Sequence, residues 1–201
     1  MATKEEVIQQ QILTAAKHLF QVHGLAKVTM DDVAKAIGKG RSSLYYYYKS
    51  KDEIFEAVFL LEVREMLAAM TRAVEQATGT EQKLHAFFLT KLKVLREKRG
   101  FFQMLDAGMD ATAFADLKKT KAVHHQLIMR QESRLLEHLL TEGMSQGELR
   151  QLPASELEIL LLVLLSSIRG LRRELDLEAN EAKMASAADM FIRMALHGLA
   201  R

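Results

Sequence analysis

The sequence has no cysteine, and it contains one proline and ten glycines among 201 residues. Without cysteine, a disulfide framework and a metal site built on thiolates are excluded. So few prolines and glycines leave little of the turn chemistry that connects strands. Alternating β-branched residues are scarce, whereas Leu, Ala, Met, Glu, Lys and Gln, which favour helices, dominate. The composition therefore predicts an all-α protein.

Long hydrophobic segments are also missing. The longest apolar run, residues 159–165, is much shorter than the roughly 20 residues that span a bilayer. The N-terminus lacks the apolar segment of a signal peptide, so we expect a cytoplasmic protein. The net charge of +2 argues against a chain that is basic throughout, but it is compatible with one basic face.

Residues 35–51 form a local concentration of positive charge. Residues 35–51 contain five basic side chains and no acidic one, and residues 45–48 are the only four tyrosines of the chain. Basic groups neutralise phosphates, and Tyr and Ser hydroxyls donate to phosphate oxygens or base edges. The alternative is a solvated basic loop beside a few packed aromatic rings. The helix signals that flank the stretch favour a nucleic-acid interface.

These flanking signals predict a helix-turn-helix arrangement. One helix starts at a capping box formed by Thr29 and Asp32, with Asp in place of the usual Glu, and another starts at the box of Ser50 and Glu53. Two short helices joined by a tight turn at Gly38 after one longer helix are typical of this motif, whose second short helix enters the major groove. Apolar spacing predicts helices over residues 7–23, 30–37, 41–47 and about 51–76.

Two segments resemble the N-terminal domain of the tetracycline-repressor (TetR) family of bacterial transcriptional regulators. They are TMDDVAKAIG at residues 29–38 and LYYYYKSKDEI at residues 44–54, and the resemblance covers about residues 8–60. Residues 142–150 also resemble a stretch that recurs late in this family. The resemblance implies a helix-turn-helix domain over residues 1–60 and an effector-binding and dimerisation domain over residues 61–201.

The resemblance also implies roles for individual residues at a DNA interface. Thr29, Tyr46, Tyr47 and Lys51 fall where the family contacts phosphates, whereas Arg41, Ser42 and Ser43 fall where it reads bases. The expected DNA-binding set is completed by Lys39, Gly40 and Tyr45. Leu44 and Tyr48 are expected in the core. The family usually has a small apolar residue, Ser, His and Phe at positions 39, 40, 47 and 48, so this chain departs from it more in base reading than in fold.

The remainder of the chain is predicted to form longer helices at residues 81–98, about 112–144, about 154–175 and about 179–199, and a short helix at residues 101–107. Helix 154–175 is apolar over a broad surface, which fits either an ordinary core helix or a subunit interface. The resemblance implies that the last two helices pair with their copies in a four-helix homodimer interface. The interface residues that we expect are Leu157, Leu161, Leu164, Ile168, Ala188, Phe191 and Ala195.

The middle helices are rich in Met and Phe, which are mostly core residues at helical spacing. The resemblance implies a small-molecule effector pocket in this region. The Met and Phe residues fit such a pocket, since small-molecule sites are largely apolar with few polar groups. The candidate lining residues are Met66, Phe88, Phe102, Gln103, His124 and Met129, with Gln126 as a further polar candidate.

The seven histidines do not predict a metal site. His124 and His125 are adjacent, so on a helix they point about 100° apart and do not converge on one ion. His85 could meet one of them, but no definite ligand spacing is present. There is no Gly-rich phosphate loop and no nucleophile-elbow motif. We therefore expect no cofactor, no metal and no enzymatic activity.

The sequence thus predicts a homodimeric, ligand-responsive DNA-binding regulator. It would be a repressor that a small-molecule effector releases from a palindromic double-stranded DNA operator. The alternative is a helical protein-interaction adaptor without specific DNA binding, whose apolar helix 154–175 binds a partner protein. That alternative leaves the ordered motif from Thr29 to Ile54 unexplained.

Overall fold

The computed structural model describes residues 3–98, 111–178 and 181–199. Within these ranges the chain forms helices and no strand, which confirms the all-α prediction. In chain order the helices are α1 (Lys4–His23), α2 (Met30–Ala36), α3 (Arg41–Tyr47), α4 (Lys51–Gln76), α5 (Gly79–Glu97), α6 (Ala111–Ser145), α7 (Ala154–Glu178) and α8 (Glu181–Leu199). The helix predicted at residues 101–107 lies outside the described residues. None of the described helices has the length and apolar character that crossing a membrane requires.

The chain divides into two compact units. Of the described residues, the first unit contains α1, α2, α3, the beginning of α4, Glu97, Lys98 and the beginning of α6, and the second contains the rest of α4, most of α5, the rest of α6, α7 and α8. The core of the first unit is built from one face of each of its helices, with the aromatic rings of Phe20 and Phe55 meeting edge to face at 6.1 Å. Fully buried members of this core are Ile12, Ala16, Phe20, Val33, Leu44, Ile54 and Val58.

Capping boxes begin both α1 and α2. At α2, Asp32 N–H donates to the Thr29 hydroxyl oxygen at 3.2 Å, and the Asp32 carboxylate accepts from Thr29 N–H at 2.9 Å. The predicted box with Asp is therefore confirmed. The structure also has a box between Thr3 and Glu6, so α1 begins at Lys4 and not at residue 7. The sequence carries this signal as Ser/Thr-x-x-Glu, and our reading of apolar spacing alone missed it.

The cap of α4 differs from the prediction by one residue. Glu53 N–H donates to the Ser50 hydroxyl oxygen at 3.2 Å, as expected for a capping box. The Glu53 carboxylate, however, accepts from the backbone N–H of Lys49 at 2.8 Å and not from that of Ser50. The carboxylate therefore also holds the residue before the cap, at the junction between α3 and α4.

The turn between α2 and α3 depends on Gly38, whose φ of 65° lies in the left-handed region that side chains disfavour. Lys39 N–H donates to the Ala34 carbonyl oxygen at 3.0 Å, and Gly38 N–H donates to that of Lys35 at 3.0 Å. This pattern is a Schellman motif, which ends the helix and satisfies its last carbonyl groups. It sets the direction in which α3 leaves α2.

A buried carboxylate joins helices inside the first unit. Glu62 of α4 is almost completely buried, and its Oε2 accepts from the ammonium of Lys98 at 2.6 Å. Its Oε1 pairs with the ammonium of Lys17 in α1. Two lysines thus compensate the charge of one buried acid, as a desolvated carboxylate requires.

The second unit has its own core, drawn from all of its helices. The Phe88 ring packs edge-on against Phe87 at 5.1 Å and against Phe191 of α8 at 5.6 Å. A buried ion pair also lies within this unit, because Lys91 of α5 donates to Glu132 of α6 at 2.6 Å and both side chains are at most 3% exposed.

Residues 142–150 form the end of α6 and a tight connection against the start of α5. Gly147 has a φ of 77°, and Glu148 N–H donates to the Gly143 carbonyl oxygen at 2.9 Å. The Glu148 carboxylate accepts from Thr80 N–H in the first turn of α5 at 2.6 Å. Gly143 lies so close to Thr80 that a Cβ on it would be 2.3 Å from the Thr80 hydroxyl oxygen. This packing gives a physical reason for both glycines.

The residues expected at a subunit interface differ in their exposure. Leu161, Leu164, Ile168 and Ala188 are buried in the core of a single chain. Leu157, Phe191 and Ala195 are partly buried against the same core. The apolar side chains that α7 and α8 expose are different ones, namely Ile159, Leu162, Val163, Met190 and Met194.

Candidate nucleic-acid interface

Most of the residues expected to bind DNA lie on α3, which is anchored by the fully buried side chain of Leu44. Around this anchor the helix exposes Arg41, Ser42, Tyr45 and Tyr46, while Ser43 is partly exposed. These are the basic and hydroxyl groups that the sequence places in the expected DNA-binding set.

The beginning of α3 lacks a side-chain cap, as expected for Gly40 at the N-cap position. Instead, Ser43 N–H donates to the Gly40 carbonyl oxygen at 3.0 Å. Lys39 and Gly40 are both exposed, so the turn brings a basic side chain beside the first residues of α3.

Arg41 is in contact with two neighbouring side chains. Its Nη2 donates to the Tyr45 hydroxyl oxygen at 3.2 Å, and its Cζ lies 5.4 Å from the centroid of the same ring. Its Nε lies 3.3 Å from Asp31 Oδ1. The hydrogen bond to Tyr45 and the charge of Asp31 raise the pKa of Arg41 above its usual range, so the guanidinium stays charged.

Tyr46 is the most exposed of the four tyrosines, at 73%. Its hydroxyl donates to Glu5 Oε1 at 3.2 Å, and this hydrogen bond raises the pKa of Tyr46 above its ordinary value. The ring of Tyr47 meets it edge to face at 5.0 Å and also packs against the core. Tyr48 is half-buried against the core, which raises its pKa, in agreement with the expectation that it packs inward.

Thr29 and Lys51, the remaining expected phosphate contacts, already have partners in the chain. The Thr29 hydroxyl donates to Asp32 Oδ2 at 2.6 Å and lowers the pKa of that carboxyl. The Lys51 ammonium donates to the carbonyl oxygens of Leu25 at 2.8 Å and Ala26 at 3.4 Å. Both residues therefore stabilise the domain, whatever they also do with DNA.

Two residues that sequence reasoning missed belong to this surface, namely Glu5 and Asp31. Glu5 is 41 positions from its partner Tyr46, and Asp31 is 10 positions from Arg41. Each contact joins two different helices, so no local pattern could have indicated it. Both acids lower the positive charge of a surface that looks purely basic in sequence.

The residues expected in an effector pocket do not form a site that the structure describes as a whole. Met66 and Phe88 are buried in the core of the second unit, and Met129 is partly buried, with its sulfur in contact with the guanidinium of Arg169. Phe102 and Gln103 lie outside the described residues, as does the side chain of His124. Gln126 is exposed.

Metal-ligating residues do not converge anywhere in the described parts of the chain, where no group of three or more His, Cys, Asp or Glu could hold an ion. His85, which could have met His124 or His125, has Asp189 3.6 Å from its Nε2.

Comparison with known proteins places the helix-turn-helix segment in a family. Residues 12–58 match the model of "Bacterial regulatory proteins, tetR family". The nucleoid occlusion factor SlmA of Haemophilus influenzae is 30% identical over 98 residues, which are 48% of this chain and 45% of that protein. The chain spans about half the length of the first curated relatives it matches.

Solved structures extend the likeness of fold to nearly the whole chain. The TetR family transcriptional regulator PfmR from Thermus thermophilus has a TM-score of 0.60 at 22% identity, with 94% of this chain and 99% of that chain covered. The regulator FadR from Bacillus subtilis, solved with stearoyl-CoA, has a TM-score of 0.64 at 15% identity, with 94% and 98% covered. At these identities the likeness concerns the fold alone. The segment of residues 12–58 thus matches the tetR family of bacterial regulatory proteins, and the likeness of the chain as a whole to regulators of that family is one of fold.

Proposed function

We propose that the protein is a homodimeric transcriptional regulator that binds a palindromic DNA operator through α3. The observation that carries this proposal is the surface of α3, where a fully buried Leu44 holds Arg41, Ser42, Tyr45 and Tyr46 outward after a glycine turn. A helix so held is suited to the major groove, with its first residues at base edges. In this proposal residues 1–60 bind DNA, and residues 61–201 bind effector and form the dimer.

The dimer would use the exposed apolar side chains of α7 and α8. Ile159, Leu162 and Val163 on α7, and Met190 and Met194 on α8, are each at least half exposed in the single chain. Exposed large apolar side chains on neighbouring helices are typical of a contact site on a soluble protein. Because a two-fold interface uses the same surface on both copies, self-complementary helices are a natural solution.

The effector would be a small molecule that binds among the helices of residues 61–201. The solved FadR with stearoyl-CoA supports this proposal, since a protein of the same fold binds a ligand of that size. The effector would favour a spacing of the two α3 helices that no longer fits the operator, which is a population shift. Release on effector binding would make the protein a repressor.

The direct test is selection of bound sequences from random double-stranded DNA, followed by operator titration at two salt concentrations. The proposal expects a palindrome whose half-sites lie about 34–36 Å apart or at a multiple of that distance, and affinity that falls steeply with salt. A protein that selects no sequence and binds DNA only weakly would support the adaptor reading and overturn the proposal.

A further inference from the structure

Side chains of two helices hold the Arg41 side chain in place in the absence of DNA. On one side its Nε lies 3.3 Å from Asp31 Oδ1 in the first turn of α2. On the other side its Nη2 donates to the hydroxyl oxygen of Tyr45, one turn further along α3, at 3.2 Å. The guanidinium carbon also lies 5.4 Å from the centroid of the Tyr45 ring, within the range of a cation–π contact.

The restraint leaves the guanidinium able to read a base. Arginine has five N–H donors, of which Nε carries one and each Nη carries two. Asp31 Oδ1 lies 3.3 Å from Nε as an ion pair without a hydrogen bond, and the Tyr45 hydroxyl takes one donor of Nη2. Both donors of Nη1 and one of Nη2 remain, and two donors suffice for a bidentate contact with O6 and N7 of guanine.

The positive charge of Arg41 in turn stabilises the Asp31 carboxylate. Its Oδ1 is buried and receives no hydrogen bond from the described part of the chain, although the side chain as a whole is half exposed. A shielded carboxylate oxygen without a hydrogen bond is costly, so a nearby cation stabilises it. The 3.3 Å ion pair with Arg41 supplies that positive charge.

From these contacts we propose that Asp31 and Tyr45 are positioning residues that hold Arg41 ready to read one guanine in each half-site. The inference rests on the proposed DNA binding. A free arginine side chain loses rotamer freedom when it binds, and prior restraint reduces that loss. Restraint also holds the Arg41 guanidinium in one orientation relative to the base, so it increases discrimination between bases more than it increases total affinity.

The opposite role for Asp31 has a different signature. An acid near the DNA surface could act only as an electrostatic brake that weakens binding to every sequence. Removal of a brake raises affinity for all DNA alike and leaves base preference unchanged. Removal of a positioning residue lowers the preference at one position and has little effect on binding to unrelated DNA.

The experiment is selection from random double-stranded DNA with the full chain, followed by titration of the selected operator and of variants at each position. In Asp31→Asn, we expect the guanine preference at one position of each half-site to fall about tenfold. Tyr45→Phe retains the ring but removes the hydroxyl, and should cause a smaller loss at the same position. Asp31→Glu retains the charge and should recover part of the preference.

Two further variants identify the position and control for charge. Arg41→Ala should abolish the preference at that position, and adding Asp31→Asn to it should change the preference no further, as expected for residues that act through one another. Asp52→Asn makes the same change of net charge in the first turn of α4, away from Arg41, and should leave base preference intact. Thermal unfolding followed by circular dichroism shows which variants fold. If Asp31→Asn does not fold, the base preference of Tyr45→Phe tests the positioning role in its place.

Three outcomes would overturn the positioning role, and the third would overturn the proposed function as well. A uniform rise in affinity with an unchanged base preference in Asp31→Asn would overturn the positioning role in favour of a brake. An Arg41→Ala variant with the parent's base preference would also overturn the positioning role. If the parent still selects a specific operator, that result leaves the proposed function unaffected. A parent that selects no sequence would overturn both.

Discussion

The ammonium of Lys51 donates a hydrogen bond to the backbone carbonyl oxygen of Leu25 at 2.8 Å. The bond ties the first residue of α4 to the loop that follows α1, and so closes the helix-turn-helix domain on itself. An ammonium has three donors, so Lys51 retains capacity for a DNA phosphate in addition to its structural bonds.

Lys51→Ala should therefore lower both stability and DNA binding. Loss of a bond from a charged donor to the loop should lower the free energy of unfolding by about 1–2 kcal/mol. Loss of a phosphate contact should weaken binding to all sequences alike and reduce the salt slope by about one unit. Lys49→Ala, at an exposed position nearby, should leave stability unchanged. Urea unfolding and operator titration at several salt concentrations measure both effects, and an unaltered slope would assign Lys51 a structural role alone.

Gly143→Ala should destabilise the second unit by overpacking. Its new Cβ would meet the Thr80 hydroxyl oxygen at 2.3 Å, and the other Thr80 side-chain atoms within 3.2 Å. Forced displacement in a packed site costs about 1–3 kcal/mol, which outweighs the gain in helix propensity. In a Thr80→Ala background the cost of Gly143→Ala should be smaller, and a double-mutant cycle by urea unfolding measures this coupling. Equal costs in the two backgrounds would show that Thr80 is not the obstacle.

Stability should fall in acid because two carboxyls in this region titrate at lower pH when folded. The bond from Thr80 N–H holds the pKa of Glu148 below its ordinary value, and the Lys83 ammonium does the same for Glu142. A lowered folded pKa gives stability that is complete above the unfolded pKa of about 4.3 and is lost as pH falls through the folded value.

Glu148→Gln removes one of these titrations. It should be less stable than the parent at neutral pH, and the difference should shrink as the solution is acidified below about pH 4. Chemical unfolding over that pH range measures this, and parallel profiles for parent and Glu148→Gln would contradict the prediction.

Two neighbouring leucines of α7 should respond differently to a charge. Leu162 is 59% exposed, whereas Leu164 is 2% exposed. Leu162→Glu should dissociate the proposed dimer and lower operator affinity while the subunit remains folded. Leu164→Glu should instead unfold the second unit, because an unpaired charge in its core costs several kcal/mol. Sedimentation and circular dichroism distinguish the two, and a dimeric Leu162→Glu variant with full affinity would place the interface elsewhere.

Local signals predicted most of the fold because they act over a few residues. The capping box of Thr29 and the left-handed turn at Gly38 need only their own neighbours, so the bounds of α2 and α3 could be read directly. Contacts such as Arg41 with Asp31 depend on how α2 and α3 pack, and no periodicity encodes them. The interface residues stay a prediction. Because α7 is apolar on more than one side, hydrophobicity alone does not distinguish the exposed Leu162 from the buried Leu164.

The buried ion pair of Lys91 and Glu132 has a consequence for how this protein can change over generations. Loss of Lys91 would leave the Glu132 carboxylate desolvated without this partner, and loss of Glu132 would remove a partner 2.6 Å from a buried ammonium; breaking such a pair costs about 3–5 kcal/mol. That is a large share of the roughly 5–15 kcal/mol that keeps a domain folded. Replacement of both by well-packed apolar residues can be neutral. Related sequences should therefore retain both residues or have replaced both, because a protein with only one of the two substitutions would fold poorly.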